Sequence, residues 1–248
     1  MPCRSMKRGF VMQRYTRPKP LAWFFFVLAF GTCVGLGSWQ VQRLQWKSGV
    51  IAEIEHAKTQ APLTAKTLPE DDAELEAKNF YPVKLSGTWN GEIEYHLAPR
   101  YFKGQMGYHL IQPLVLKDGR SVLVNRGWVP AAKKEIETRP RSIGVGAATI
   151  NGLLRVGAER NYFTPINQPE KNVWFGRDVQ EMADFYDVKN VYPAMVDVVG
   201  TQDIKQLPVP SDGTIRVRND HLSYIITWYS IAIGILVIFV LAHRKKSA

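Results

Sequence analysis

Side chains that could bind a metal or act as a nucleophile or base are sparse in this sequence. Five histidines and two cysteines occur among 248 residues. The sequence has no CxxC, HExxH, GxSxG or P-loop pattern, and Gly144-x-Gly146 lacks the third glycine of a dinucleotide fingerprint. His56, His96 and His109 show no metal-ligand spacing. The sequence therefore gives no reason to propose an enzyme, although catalytic groups can converge from distant positions.

His221 stands out because it lies three residues before a long apolar run. That run, residues 224–242, has 19 residues without a charge, and residues 21–39 form a second uncharged run of 19 residues. As helices, both would span about 28 Å, close to the thickness of the hydrocarbon core of a bilayer. Both runs carry interfacial aromatic residues and have Lys/Arg on one side, so we predict two transmembrane helices rather than core helices.

The residues alone leave the role of His221 open. A histidine beside a span is often only an interface residue, and the neighbouring Asn219 or Asp220 can simply cap the helix. Polar groups at the membrane edge are nonetheless functional more often than surface ones.

The formal net charge of +10 suggests nucleic-acid binding until its distribution is considered. Residues 1–20 hold six Lys/Arg and residues 244–246 hold three more, with no acid in either segment. The other 23 Lys/Arg face 22 Asp/Glu, so the central chain has no bulk excess for a basic patch. We therefore expect no nucleic-acid partner, and we expect the basic tails, 1–20 and 243–248, to stay in the cytoplasm.

The first apolar run favours an uncleaved anchor over a signal peptide. It is longer than a typical signal core, and no small-x-small cleavage site follows before Trp39. The Arg-rich, acid-free residues 1–20 also fit a mitochondrial presequence, but the anchor follows them directly. We therefore expect a bacterial inner-membrane protein, with the mitochondrial inner membrane as the alternative. Residues 40–223 would then form one extracytoplasmic domain, which contains no cysteine for a disulfide.

Alternating apolar and polar residues predict that this outer domain consists of short strands. The expected strands are 80–89, 92–98, 108–116, 121–128, 148–156 and 191–200. Asn90-Gly91 predicts a hairpin between the first two strands, and Asp118-Gly119 predicts a turn between the third and the fourth. By the same alternation, His96 should face solvent.

Helical signals in the outer domain are fewer. The first span should continue as a helix beyond Gln40, and residues 178–187 should form a short helix with Asp178 as its N-cap. Residues 59–78 should be a loop with room for one helical turn. The expected fold class is therefore a membrane protein of the α+β type: two transmembrane helices flank a mainly antiparallel β domain, a barrel or a sandwich, with one or two short helices.

The first span carries a small-residue motif, Gly31-x-x-x-Gly35. Such a motif can pack on another helix, either the second span through Gly234 or a partner protein, or it can be idle. A stripe on the following turns is expected to anchor the helix at the interface, with the arginine snorkelling to the headgroups. Its members are Trp39, Arg43 and Trp46.

Several segments, in order along nearly the whole chain, resemble the Surfeit locus protein 1 family. WQVQRLQWK at 39–47 is similar to the W-Q-x-x-R-x-x-W-K segment of that family, and VLVNRGWVP at 122–130 to its most distinctive segment. NDHLSYIITWY at 219–229 is similar to the start of its second span, although Asp220 replaces the second Asn of N-N-H-L. The matching positions that we expect to be structural are Trp39, Gln40, Trp46, Asn125, Arg126, Gly127, Trp128 and Tyr229.

The resemblance implies a role in assembling haem-copper cytochrome c oxidase, by delivering haem a to subunit I or retaining it there. His221 would be an axial ligand of the haem iron. The implied macrocycle contacts are Tyr224, Thr227 and Trp228, and the implied propionate partners are Arg43, Arg216 and Arg218. The implied partners are subunit I, the haem a synthase as a further candidate, and the lipid bilayer.

Other interpretations stay open beside this one. The protein could be a scaffold for oxidase assembly that never touches haem. It could also be a tethered sensor or enzyme domain, although tails of 20 and 6 residues leave no room for a cytoplasmic output domain. The segment from Asn125 to Trp128 could be purely structural: a strand end, a tight glycine turn and a packed tryptophan.

Overall fold

The computed structural model describes residues 16–157, 162–203, 205–215 and 219–244. The helices in this part of the chain are α1 (Pro20–Lys58), α2 (Asp72–Ala77), α3 (Val179–Phe185) and α4 (His221–Ala242). The strands are β1 (Pro82–Trp89), β2 (Tyr95–Phe102), β3 (Gln105–Leu116), β4 (Ser121–Pro130), β5 (Gly146–Val156) and β6 (Val191–Val198). The chain divides into two compact units, residues 1–51 with 217–248, and residues 52–216.

The first unit contains α4 and most of α1, both long and apolar enough to span a membrane. Their large apolar side chains are mostly exposed; Phe24 and Ile238, for example, are 60% and 69% exposed. A core helix would bury such side chains, since each burial gains about 1.5–3 kcal/mol. This exposure favours bilayer spans. The predicted helices are confirmed, and α4 begins three residues earlier than expected, at His221 itself.

The second unit is a six-stranded sheet in the order β1-β5-β6-β4-β3-β2, and a further pairing of β1 with β3 closes it into a barrel-like domain. Every pairing is antiparallel except that of β4 with β6. The predicted fold class, with its mainly antiparallel β domain between two apolar helices, is confirmed. The predicted turn between β3 and β4, the strands β5 and β6 and the short helix α3 are also confirmed. Asp178 caps α3, because its Oδ1 accepts from Glu181 N at 3.0 Å.

The predicted hairpin at Asn90-Gly91 is wrong. β1 does not pair with β2; both pair with β3, which has 12 residues and is long enough to take them one after the other. Asn90 directs the chain from one to the other, because its N–H donates to Pro113 O at 3.0 Å and its Oδ1 accepts from Glu92 N at 3.2 Å. A local turn signal was therefore overridden by a long-range pairing.

The first part of strand β4 is buried on both of its faces, which explains the apolar run Val122–Val124. Val122 and Val124 belong to one core cluster with Leu85, Leu114 and other barrel residues. Leu123, on the opposite face, belongs to a second cluster in which α3 and Trp174 cover the sheet. Because successive strand residues point to opposite faces, consecutive apolar residues are needed where a strand lies between two apolar layers.

The prediction that His96 faces solvent is also wrong, since it is 5% exposed. Its Nε2 lies 2.8 Å from Glu94 Oε1, and Arg139 forms an ion pair with the same carboxylate. Burial tends to raise the pKa of Glu94, but the hydrogen bonds from His96 and Arg139 and the charge of Arg139 hold it below its usual range. A buried polar network thus replaces the expected exposed face.

Gly127 lies at a bulge inside β4, not at a tight turn after it. Leu110 pairs with Gly127 and Ile111 with Asn125, so Arg126 is the extra residue. The φ angle of Gly127 is +131°, and a Cβ there would lie 2.2 Å from Val209 O. This close approach is maintained by Trp128 N and O, which bond to Val209 O and N at 2.7 and 2.8 Å.

We expect Gly127→Ala to destabilise the β domain by about 2–4 kcal/mol, because it combines backbone strain with a steric clash. Gly104→Ala is the matched control: its φ is +80°, but a Cβ there meets nothing within 4 Å. The measurement is urea unfolding of the full chain in detergent, followed by tryptophan fluorescence. If both variants lost the same free energy of unfolding, the contact with Val209 would not be the reason why glycine is required at position 127.

Candidate functional site

Helices α1 and α4 pack antiparallel along a seam of residues spaced three and four apart. The seam is formed by Phe26, Phe30, Cys33, Gly37 and Gln40 of α1 and by His221, Ile225, Trp228, Ala232, Ile235 and Phe239 of α4, all at least half-buried. Phe26 stacks on Phe239 with ring centroids 4.1 Å apart. This spacing places the seam residues on one face of each helix.

Among the glycines of the two helices, Gly37 is the one that contacts the neighbouring helix. A Cβ added there would lie 3.0 Å from Tyr229 Cε1, and Tyr229 Oη lies 3.2 Å from Ser38 Oγ. Gly31 and Gly35 take no part, since a Cβ at either would meet no described atom within 4 Å; the same holds for Gly234. Of the open alternatives for the small-residue motif, packing on the second span is therefore excluded.

The seam ends in a polar pair. His221 Nδ1 lies 2.6 Å from Gln40 Oε1, and because that oxygen can only accept, Nδ1 carries the proton. Asp220 is the N-cap residue of α4, but its side chain makes no capping hydrogen bond. His221 therefore belongs to the helix pair and is held across it, rather than lying in a loop before the span.

The other ring nitrogen of His221 is an unsatisfied acceptor. In the tautomer that Gln40 selects, Nε2 bears a lone pair; it is buried and has no hydrogen-bond partner among the described residues. Leaving a buried polar atom unpaired costs about 1–3 kcal/mol. Such a cost points to a strain or a function at this atom.

Two of the other predicted haem contacts lie beside the seam rather than in it. Trp228 is half-buried on the seam, whereas Tyr224 is 52% exposed and Thr227 is exposed with its hydroxyl bonded to Ser223 O at 2.8 Å. Helix periodicity places Tyr224 at the edge of the seam and Thr227 outside it on α4, and it places Arg43 outside the seam on α1.

The stripe Trp39, Arg43 and Trp46 lies on an exposed face of α1, and its role as an interface anchor stays a prediction. The two tryptophans are 53% and 54% exposed, and the Arg43 guanidinium lies 4.1 Å from the Trp46 ring centroid, a cation–π contact. Arg216 and Arg218, the other predicted propionate partners, lie outside the described residues.

The segment from Asn125 to Trp128 lies in the β domain. Asn125 Nδ2 donates to Asp197 Oδ1 at 2.7 Å and approaches His109 Nδ1 at 3.1 Å, while Arg126 Nη1 donates to Gln112 Oε1 at 2.9 Å. Sequence analysis missed this buried polar cluster, because its members come from different strands and no spacing links them.

The donor set of the helix pair fits an axial haem ligand. A metal-bound histidine usually donates its second N–H to an oxygen, which orients the ring and leaves the other nitrogen for the metal. His221 has this arrangement, with Gln40 Oε1 as the acceptor for its Nδ1 proton. Nε2 is covered by protein atoms, so a metal would reach it only after His221 or its neighbours move.

These observations define a class: a membrane protein in which two apolar helices accompany a barrel-like β domain. The chain belongs to the SURF1 family, whose sequence model matches residues 27–233.

Three relatives illustrate the similarity. Surfeit locus protein 1 of Mus musculus is 32% identical over 226 residues, covering 85% of this chain and 72% of the mouse protein. The Homo sapiens protein of that name is 32% identical over 228 residues, covering 86% of this chain and 74% of the human one. The SURF1-like protein of Monosiga brevicollis is 34% identical over 223 residues, covering 85% and 83%.

Gly37→Leu should weaken the helix pair by about 1–3 kcal/mol through overpacking against Tyr229. Gly31→Leu is the matched control and should have no effect, because its face is open. Cys33 and Ala232 lie on the seam, so oxidative crosslinking of Cys33 to a cysteine at Ala232→Cys, in a Cys3→Ser background, reports the pairing by mass spectrometry. Crosslinking that falls in Gly31→Leu but not in Gly37→Leu would contradict the seam.

Proposed function

We propose that this protein assists the assembly of haem-copper cytochrome c oxidase by holding haem a as a transient cargo for subunit I. The proposal of haem binding rests on a single observation. Nε2 of His221 has no hydrogen-bond partner among the described residues, while Nδ1 of the same ring is hydrogen-bonded to Gln40. Membership of the SURF1 family supports the oxidase part, through the resemblance of its segments.

Each residue has a separate task in this proposal. His221 supplies the axial nitrogen, and Gln40 keeps its ring in the tautomer whose lone pair is on Nε2. Trp228 and Tyr224 offer apolar and aromatic surface to the macrocycle, and Arg43 offers a cation to a propionate. Because His221 must move to expose Nε2, binding would be coupled to a local opening of the helix pair, which suits a cargo that is released again.

A second candidate function is a haem-independent scaffold for oxidase assembly. The burial of Nε2 favours it, because the helix pair is already closed around that atom. The proposed partner in both functions is subunit I. The carrier would have the haem a synthase as a further partner, because that enzyme would be its source of haem.

We further propose that the protein resides in a bacterial inner membrane with both termini in the cytoplasm. The support is the charge bias: six and three Lys/Arg in the two tails, against no acids. The β domain would then lie on the opposite side, and the apolar helices would contact lipid directly.

Reporter fusions test this topology. Alkaline phosphatase inserted at Gly119, in the exposed turn between β3 and β4, should be active, and the same reporter after Ala248 should be inactive. Green fluorescent protein at the two positions is the control and should give the reverse pattern, because it fluoresces in the cytoplasm. Phosphatase activity at Ala248 would overturn the orientation.

Haem binding is tested by substitutions at the polar pair. In cells that make haem a, His221→Ala should insert normally but copurify with less than about a tenth of the wild-type haem, with weakened Soret and α bands, because the axial bond is lost. Gln40→Ala should weaken haem retention by about tenfold, since it removes the orienting partner. Pigment and spectra of the purified protein are the measurements.

His243→Ala is the matched control for that series. His243 lies at the opposite end of α4, with its Nδ1 bonded to Phe239 O at 2.7 Å, and its loss should leave the haem content unchanged. Haem-free wild type from haem a-producing cells would favour the scaffold. Equal haem in wild type and His221→Ala would show that His221 is not the ligand.

A further inference from the structure

A cleft of about 810 Å³ opens in the β domain, on the side where β2 turns into β3. Its walls come from the turn at residues 101–104, from β3 and β4 at His109 and Trp128, and from the segment 209–214. Asn125 and Gly127, which the helix-pair site does not use, also line it. All these residues belong to the unit 52–216.

The cleft is lined by cations that the protein neutralises incompletely. Arg100 and Arg177 both face it, and Lys103 lies at its rim. Arg177 Nη1 lies 3.2 Å from Asp197 Oδ2, which Arg155 also approaches, at 3.5 Å. One carboxylate is thus shared by two guanidinium groups.

Arg100, unlike Arg177, is paired with a neutral group. Its Nη1 donates to the backbone oxygen of Pro99 at 2.9 Å, and within the described residues it forms no ion pair. Burial and then the nearby charge of Arg177 lower the pKa of Arg100 to about 10, and the charge of Asp197 only partly opposes this. Asp212 also lines the cleft, but its Oδ1 accepts from Thr214 N at 2.9 Å, and no ion pair joins it to a described cation. The cleft therefore keeps an excess of positive charge in a partly desolvated place, which is costly without a counter-ion.

His109 adds a neutral donor to these cations. Burial, and then the charge of Arg100, lower the pKa of His109 to about 4, so the ring is neutral at pH 7. The Asn125 amide is oriented by Asp197 and by Gly127 N, so its Nδ2 donates to His109 Nδ1. The proton of the neutral ring is then on Nε2, which makes that atom a hydrogen-bond donor.

We propose that this cleft binds a small organic anion through its carboxylate or phosphate group. Arg100 and Arg177 supply the guanidinium groups, whose planar donors match either anion, and the exposed ring of Tyr101 and the half-buried ring of Phe102 supply apolar surface for the rest of the molecule. Asp197 is the fixed counter-charge that holds Arg177 in place; the ligand supplies the negative charge that Arg100 lacks.

Thermal unfolding of the full chain in neutral detergent tests this, with sodium phosphate and sodium benzoate as separate probes and sodium chloride at equal ionic strength as the reference. The wild type should show a saturable rise in melting temperature with at least one probe, beyond that in chloride. A response to phosphate alone or to benzoate alone identifies which group the cleft prefers. No response beyond chloride to either probe would overturn the proposal.

Arg100→Met is the decisive variant. Because it removes a cation repelled by Arg177, it should be at least as stable as wild type without anion, and its response to the anion should weaken about tenfold or more. Lys117→Met, which removes an exposed cation at the turn between β3 and β4, is the matched control and should respond like wild type. If Arg100→Met showed the same anion concentration at half of the maximal rise in melting temperature as the wild type, the site would be refuted. If Lys117→Met weakened the anion response as much as Arg100→Met, the effect would be general charge screening, which would also refute a site.

Discussion

The β domain depends on the pairing of β3 with three other strands. Its first part pairs with β2, its last residues with β1, and nearly its whole length with β4. The contact of its last residues with β1 closes the sheet, and β2 remains a terminal strand that pairs with β3 alone. It also sets β2 beside the opening of the barrel, where the turn after β2 and the bulge at Gly127 form two sides of the cleft. The pairing of one long strand thus decides both the closure and the position of the polar cluster.

The helix pair obeys a different constraint. In a bilayer the apolar faces of α1 and α4 gain nothing by leaving lipid, so their association relies on close packing and on polar contacts. Gly37 lets Tyr229 approach, the Phe26–Phe239 stack fixes one end, and the Gln40–His221 hydrogen bond fixes the other. The polar pair therefore has a structural task in the apo protein, whatever it binds.

Both polar sites contain a hydrogen bond between a side-chain amide and a histidine, but its direction differs between them. In each, a side-chain amide contacts one ring nitrogen of a histidine and so orients the ring. Gln40 accepts from Nδ1 of His221, which leaves a lone pair on Nε2 of that ring. Asn125 donates to Nδ1 of His109, which leaves the proton of that ring on Nε2. A lone pair suits a metal and a proton suits an anion. The proposed haem site and the proposed anion site differ chemically because an amide presents its oxygen in one and its nitrogen in the other.

Much of the fold followed from the sequence. Two runs of 19 uncharged residues with Lys/Arg at one end predict spans, because the thickness of the bilayer sets the length of a span. The turn at Asp118-Gly119 and the cap at Asp178 were predictable because they depend on only a few neighbouring residues. The hairpin at Asn90-Gly91 and the exposure of His96 were predicted wrongly, because β3 competes for β1 and because Arg139 reaches Glu94 from 45 residues away. The segments that resemble the family include both Gln40 and His221, but nothing in the sequence says that they meet. That contact, the packing at Gly37 instead of Gly31 and the cluster around Asp197 join residues distant in the chain. Only the tertiary structure could decide them, because hydrogen bonds and packing depend on distance in space and not on spacing along the sequence.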